Sequence, residues 1–316
     1  MIKRKAIIFG LKGTSISNRE VNFLKSSQPW GIIIFSRNIN NLYQLKKLTK
    51  QIRTIFNDTK YPILIDEEGG RVTRLKKIID LKSFTQTFFG NMFRDKKKFF
   101  FQKYKIYIDL VSFFLLEAGI NINTTPVLDV KNKTSNQIIG TRAFSNNIKT
   151  ISEIGNACIK FYKKNKIATV IKHIPGHGRS DNDSHFFTPI INASKKMLIK
   201  KDFKVFKKSK SFFAMTGHIV FKSYDKINTS THSKIIIKDV IRKHIGYKGI
   251  IISDDISMKA LKYNLENNAT KALNAGCNLV LHCNGNLKEM KKLAKVIPYI
   301  DTFTQKKTSD FYNFLG

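Results

Sequence analysis

Ala168-Thr169-Val170-Ile171-Lys172-His173-Ile174-Pro175-Gly176-His177-Gly178 passes without a break from a β-branched apolar run into a loop dense in ionisable groups. The apolar run is continuous rather than alternating, the mark of a strand buried on both faces. The loop goes on through Arg179-Ser180-Asp181-Asn182-Asp183-Ser184-His185. Gly176 and Gly178 open backbone angles closed to other residues, and Pro175 stiffens the start of the loop. Neither core packing nor solubility needs this density of charge. A buried strand is delivering chemistry at its C-terminal end.

The same transition recurs along the chain. Eight short apolar runs begin near Ala6, Gly31, Pro62, Gly119, Ala168, Phe212, Gly249 and Asn278. Polar residues and, mostly, a helix-like segment follow each of them. Strand, helix, strand repeated eight times is an α/β fold of the single (β/α)8, TIM-type barrel class, and 316 residues suit one with modest insertions. A doubly wound open sheet is the alternative. The longest insertion separates the third and fourth runs, where Phe84 to Phe101 and Tyr104 to Leu116 read as helices. Residues 41–60, 195–210 and 286–295 are helix-like as well. Residues 1–316 are expected to form one domain, with Asp301 to Gly316 supplying a terminal helix or tail.

In such barrels the active site sits at the C-terminal ends of the strands. Ionisable residues fall there: Asp66-Glu67-Glu68 after the third run, Asp129 after the fourth and Lys172-His173 at the fifth. Thr216-Gly217-His218, Ser253-Asp254-Asp255 and His282-Cys283-Asn284 follow the last three. Any one of them could be a turn or a cap. Several converging on one rim form a pocket.

Composition excludes other classes. Apolar residues make up 42% of the chain, enough for a sizeable core. The net charge of +35 is spread through nearly every segment, whereas nucleic-acid binders concentrate theirs in a patch or tail. Lys, Asn, Ile and Phe are over-used together, which points to general compositional drift, with a polyanionic partner as the alternative; no nucleic-acid partner is expected. Cys158, Cys277 and Cys283 do not make a disulfide framework. Without CxxC or HExxH spacing no metal is expected. The apolar run after Lys3-Arg4-Lys5 is too short for a signal peptide. The stretch from Ile108 to Ile120 carries Asp109 and Glu117 and falls short of a membrane span, so a soluble cytoplasmic chain is expected.

The Gly69-Gly70 pair lacks the pattern that cradles a nucleotide, and no GxSxG elbow is present, so no cofactor is expected. Acid–base or covalent chemistry by Asp and His remains, and glycoside hydrolysis fits it.

The motifs resemble those of glycoside hydrolase family 3 β-N-acetylglucosaminidases of the single-domain NagZ type. Gly31-Ile-Ile-Ile-Phe-Ser-Arg-Asn38, Ile65-Asp-Glu-Glu-Gly-Gly-Arg-Val-Thr-Arg74, Pro126-Val-Leu-Asp-Val130 and Gly140-Thr-Arg-Ala-Phe-Ser145 carry the likeness. It continues through Lys172 to His185, Gly249-Ile-Ile-Ile-Ser-Asp-Asp-Ile-Ser-Met258 and Ala275-Gly-Cys-Asn-Leu-Val280. The resemblance implies that Asp254 is the nucleophile of a covalent glycosyl-enzyme, and that His185, partnered by Asp183, is the general acid/base. It implies that Asp66, Arg74, Arg142, Lys172 and His173 bind the sugar, and that the loop bearing the dyad closes over it. The implied reaction removes terminal N-acetylglucosamine from anhydro-muropeptides in cell-wall recycling, in a protein expected to be monomeric.

Some residues keep two readings. Arg74 could be a structural ion-pair partner, and Asp255 rivals Asp254 as nucleophile. Asp129 reads as a hydrogen-bonding strand end, His177 and His218 as supporting groups, Met258 as packing or pocket wall, and Cys277 and Cys283 as core. The chain also departs from the family pattern. Glu67 replaces a Gln and adds charge near the sugar, Thr216-Gly217-His218 replaces Thr-Ala-His, and Asn228 to His232 replaces a Pro-Ala-Thr loop. Another β-glycosidase, a phosphorylase of the same family, or a non-catalytic sugar- or polyanion-binding barrel stay open.

Overall fold

The structure is a computed structural model, and it describes residues 3–132, 139–180, 187–207 and 209–316. Eight strands close into a parallel barrel: β1 (Lys5–Gly10), β2 (Pro29–Ile34), β3 (Ile63–Ile65), β4 (Ile122–Asn123), β5 (Ala168–Ile174), β7 (Phe213–Thr216), β9 (Ile250–Asp255) and β10 (Leu279–His282). They lie within three residues of the positions read from the apolar runs. β1 pairs in parallel with both β2 and β10, which closes the ring and excludes an open doubly wound sheet. A separate two-stranded sheet joins β6 (Ile190–Ile191) to β8 (Val220–Phe221) outside the barrel.

The strands are short because burial, not ladder length, holds them. Ile32, Ile33 and Ile34, like Ile250, Ile251 and Ile252, are fully buried, with one face in the barrel and the other under the helices. Helices cover the outside: α1 (Asn18–Ser27), α2 (Leu42–Phe56), α3 (Gln86–Asp95), α4 (Lys97–Glu117), α5 (Ile148–Lys164), α6 (Lys195–Lys200), a π-helical turn at Ile236–Ile245, α7 (Leu265–Ala275), α8 (Leu287–Val296) and α9 (Thr302–Leu315). Side-chain caps fix where they start. Ser17 and Glu20 form a capping box on α1, and Asn41, Thr85, Asn147, Asn264 and Asn286 cap others.

Two helix readings need correction. The insertion breaks at Lys96 rather than beyond Phe101, and residues 195–210 are helical only to Lys200 before a short 3-10 turn at Lys204–Phe206. The last segment is a helix with a defined seat. Phe311 of α9 packs edge-on against Phe213 at 5.4 Å, and the indole of Trp30 donates to Thr308 at 2.9 Å. Trp30 and Phe213 stand near the N-terminal ends of their strands, so α9 closes the barrel's base. Among the described residues, no helix seals the opposite end in this way.

Candidate active site

The C-terminal ends of the strands enclose a cavity of about 140 Å³. Asp66, Arg74, Arg142, Lys172, His173 and Asp254 all line it, so the structure brings together every candidate that falls on described residues. Asp183 and His185 lie in segment 181–186, outside the described residues.

Asp66 and Glu68 extend from β3 into the cavity, and the intervening Glu67 turns away. The Asp66 carboxylate accepts from Thr124, from Lys172 Nζ at 3.2 Å and from Arg74 Nη2 at 3.2 Å. Burial alone would raise its pKa, but Lys172, Arg74 and Thr124 outweigh it and hold the group far below the usual carboxylate range. Arg74 is therefore an ion-pair partner and a cavity wall at once.

Glu68 went unrecognised in the sequence. It accepts a bidentate pair from Arg142, Nε and Nη2 both at 2.8 Å, and lies 2.6 Å from Lys172 Nζ. Burial again opposes ionisation; Arg142 and Lys172 overcome it and bring its pKa to about 2. Buried Lys172 thus bridges Asp66 and Glu68, with Arg74 on the first carboxylate and Arg142 on the second. The signal was present in the triplet Asp66-Glu67-Glu68, where every second residue faces the same way.

Glu67 does not line the cavity. Its Oε2 accepts the backbone N–H of Arg74 at 2.8 Å and of Leu75 at 2.9 Å, tying down the loop after β3, and burial raises its pKa.

The segment after β4 runs on beside β5. Leu128 N–H donates to Lys172 O at 2.7 Å, and this delivers Asp129 beneath the Lys172–Gly178 loop. There Asp129 accepts from His173 Nδ1 at 2.7 Å and from the backbone N–H of His177 at 2.6 Å. It is a fully buried anchor for the loop stem. A carboxylate only accepts, so His173 carries its proton on Nδ1 and turns Nε2 toward Arg142, 3.5 Å away. Gly176 sits at φ 140°, where a side chain would be strained. Gly178 is required for a different reason: a Cβ there would come within 1.9 Å of Val130 O.

Asp254 and Asp255 end β9 and take different directions. Asp254 faces the cavity. Asp255 accepts from the Ser257 and Cys283 backbone N–H groups and from Ser257 Oγ at 2.7 Å, so it caps the following turn. Burial pushes the pKa of Asp254 up, but His218, His173, the Asp255 N–H and Lys172 bring it below normal, leaving a carboxylate at neutral pH.

His218 is buried under this strand end. Its Nε2 lies 2.9 Å from Asp255 O, a pure acceptor, so Nε2 is protonated and Nδ1 accepts from Thr231 Oγ1 at 2.8 Å. The atypical loop Asn228 to His232 supplies that hydroxyl, and Thr231 is in turn 2.8 Å from Thr216 Oγ1. His282 belongs elsewhere: it is buried against Glu289, 2.9 Å away. Cys283 is not core; it is half-buried and lines the cavity, as do Met215 and Leu281.

His177, also in the cavity wall, has its pKa lowered by burial and by His173 from 6.5 to about 4. The unfolded chain therefore binds a proton that the folded chain refuses between those values. Stability is complete above pH 6.5 and falls as the pH drops toward 4, by up to about 1.4 kcal/mol per pH unit for this one group. Urea unfolding between pH 7.5 and 4 checks this, and His177→Asn should flatten part of the slope. An unchanged slope in that variant would remove His177 from the account.

Relatives and solved structures identify the family. Residues 3–308 match the family described as the glycosyl hydrolase family 3 N terminal domain. A β-hexosaminidase from Haemophilus influenzae is 30% identical over 289 residues, covering 88% of this chain and 79% of its own. The structure of NagZ from Neisseria gonorrhoeae in complex with N-trifluoroacetyl-D-glucosamine superposes with a TM-score of 0.87 at 26% identity, over 99% of this chain and 90% of that one. A family 3 β-N-acetylglucosaminidase from Paenibacillus sp. str. FPU-7 has a TM-score of 0.86 at 22% identity, a likeness of fold alone; it covers 98% of this chain, which spans 60% of that protein's length. The chain thus belongs to glycosyl hydrolase family 3, and it is a glycoside hydrolase of that family's β-N-acetylhexosaminidase kind.

Proposed function

We propose that this protein is a retaining exo-β-N-acetylglucosaminidase that works through a covalent glycosyl–Asp254 intermediate. The observation that carries the reading is the ionised, partly buried Asp254 at the wall of a polar cavity shared with Asp66, Arg74, Arg142, Lys172 and His173. Asp66 accepts from sugar hydroxyls, and Arg74, Arg142 and Lys172 donate to them. Held in this way, the sugar presents its anomeric carbon to Asp254.

In the first step an Asp254 oxygen bonds to that carbon while the glycosidic oxygen leaves with a proton from His185. In the second, His185 takes a proton from water, the water oxygen attacks the same carbon, and Asp254 is released. Two inversions give net retention. Asp183 orients the imidazole and favours its protonated form. Asp129 and the Gly178–Val130 approach support this assignment, because they fix the stem of the loop on which both dyad residues ride.

The resemblance extends the proposal to muropeptides carrying a terminal N-acetylglucosamine, handled in the cytoplasm by a monomer. The ligand in the Neisseria neighbour's title, an N-acylated glucosamine, supports the acetamido-sugar part of this reading.

Hydrolysis of an aryl β-N-acetylglucosaminide against an aryl β-glucoside is the test. Turnover of the first and not the second is expected, at the same rate in phosphate and in phosphate-free buffer. Equal turnover of both would overturn the acetamido specificity. A rate that requires phosphate, with a sugar phosphate as product, would make the protein a phosphorylase.

A further inference from the structure

Helix α4 is apolar on two opposite sides. Its inner side enters the core through Phe100, Tyr104, Ile108, Val111 and Leu115. On its outer side Phe99, Ile106, Leu110 and Phe113 are 55%, 55%, 40% and 57% exposed. Steps of seven, four and three residues place these four on one line along the helix. At about 1.5 Å per residue the line is about 21 Å long.

Composition alone does not explain the stripe. Eight of the 18 exposed large hydrophobic residues among the described residues fall between positions 84 and 116, and the other ten are scattered. The outward face of α5 instead carries Lys149, Lys160, Lys163 and Lys164, and that of α8 carries Lys288, Lys291, Lys292 and Lys295. A wall helix in water gains nothing from a second apolar face, and a contiguous one marks a surface that something covers.

Charge identifies what covers it. Helix α4 lies between α2 and α5, and the acidic groups along this side are already matched by lysines. Glu117 pairs with Lys46 at 3.0 Å, Glu153 with Lys97 at 2.9 Å, and Asp109 with Lys105. Exposed Lys98, Lys103, Lys160 and Lys163 stand in excess around the stripe. A second copy of the chain would bring +35 against +35 and lysine rim against lysine rim. An anionic bilayer is favoured by both terms: apolar side chains enter the acyl boundary, and lysines reach the headgroups with their stems along the helix. Bulky side chains about half exposed suit that deformable phase. No helix among the described residues is long and apolar enough to cross a membrane, so the helix would lie in the surface.

We propose that α4 docks this protein sideways on an anionic phospholipid bilayer. Phe99, Ile106, Leu110 and Phe113 insert, and the flanking lysines contact the headgroups. Because α4 covers the barrel wall between β3 and β4, docking leaves the cavity at the strand ends open.

Co-sedimentation of the full chain with vesicles of mixed phosphatidylcholine and phosphatidylglycerol, against pure phosphatidylcholine, tests it. Binding to the mixed vesicles only is expected, weakening with salt and at least about tenfold weaker in Ile106→Glu/Phe113→Glu. Both positions face outward, so the variant should keep the wild-type circular dichroism and glycosidase rate. If the variant binds as well as wild type, charge alone holds the protein and the stripe has no part in docking. If wild type does not bind, or sediments as a dimer that the variant dissociates, the bilayer proposal fails; stripe-dependent capture by an acidic protein instead of vesicles would overturn it too.

Discussion

Asp254→Asn should lower kcat on an aryl β-N-acetylglucosaminide by about ten-thousandfold. The amide keeps the shape of the side chain but cannot form a stable ester with the anomeric carbon. KM should move far less, since the sugar contacts come from Asp66, Arg74, Arg142, Lys172 and His173. A stronger form of the experiment uses Asp254→Gly with azide. The small anion enters the space vacated by the carboxylate, attacks the anomeric carbon once, and gives an α-glycosyl azide. Asp255→Asn serves as the control: its side chain bonds Ser257 and Cys283, so the turn should loosen while most of the rate survives. A wild-type rate in Asp254→Asn would remove this residue from the mechanism and leave Asp255 as the acid to test next.

Glu68→Ala is expected to unfold the mouth of the barrel rather than only slow it. The buried carboxylate offsets buried Lys172 at 2.6 Å and partly buried Arg142 through two bonds of 2.8 Å. Removing one member of a buried ion cluster leaves uncompensated charge, a cost of about 3–5 kcal/mol. Denaturant unfolding reads that loss directly. Glu68→Gln should cost less, because the amide still accepts one bond from Arg142, and its KM for the sugar should rise as Arg142 and Lys172 lose their alignment. The pH dependence has a definite sign. With its folded pKa near 2, below the usual 4.5, Glu68 stabilises the protein fully above about pH 4.5. That contribution fades as the pH falls toward 2, below the range in which His177 acts. If Glu68→Ala melts like wild type, the cluster contributes nothing to stability.

The sequence by itself determined the barrel. Continuous runs such as Ile32-Ile33-Ile34 and Ile250-Ile251-Ile252 are strands because a segment buried on both faces has no polar side, and eight of them with intervening helices leave few topologies. It also placed Asp66, Lys172, His173 and Asp254 at strand ends, the family resemblance of its motifs added Arg74 and Arg142, and the structure gathers all six around one cavity. Tertiary structure alone decided which neighbouring acid points where. In Asp66-Glu67-Glu68 and in Asp254-Asp255 the residue types are equivalent, and only the surrounding backbone assigns them to cavity, loop clamp or turn cap. The partners of Glu68, Asp129 and His218 were hidden for the same reason. Each pairing joins residues between 13 and 104 positions apart, and no local pattern encodes a contact made only when the barrel closes. The apolar outer stripe of α4 belongs with them. In the sequence nothing separates Phe99, Ile106, Leu110 and Phe113 from the equally apolar Phe100, Ile108, Val111 and Leu115, and only the packed helix shows which set faces outward.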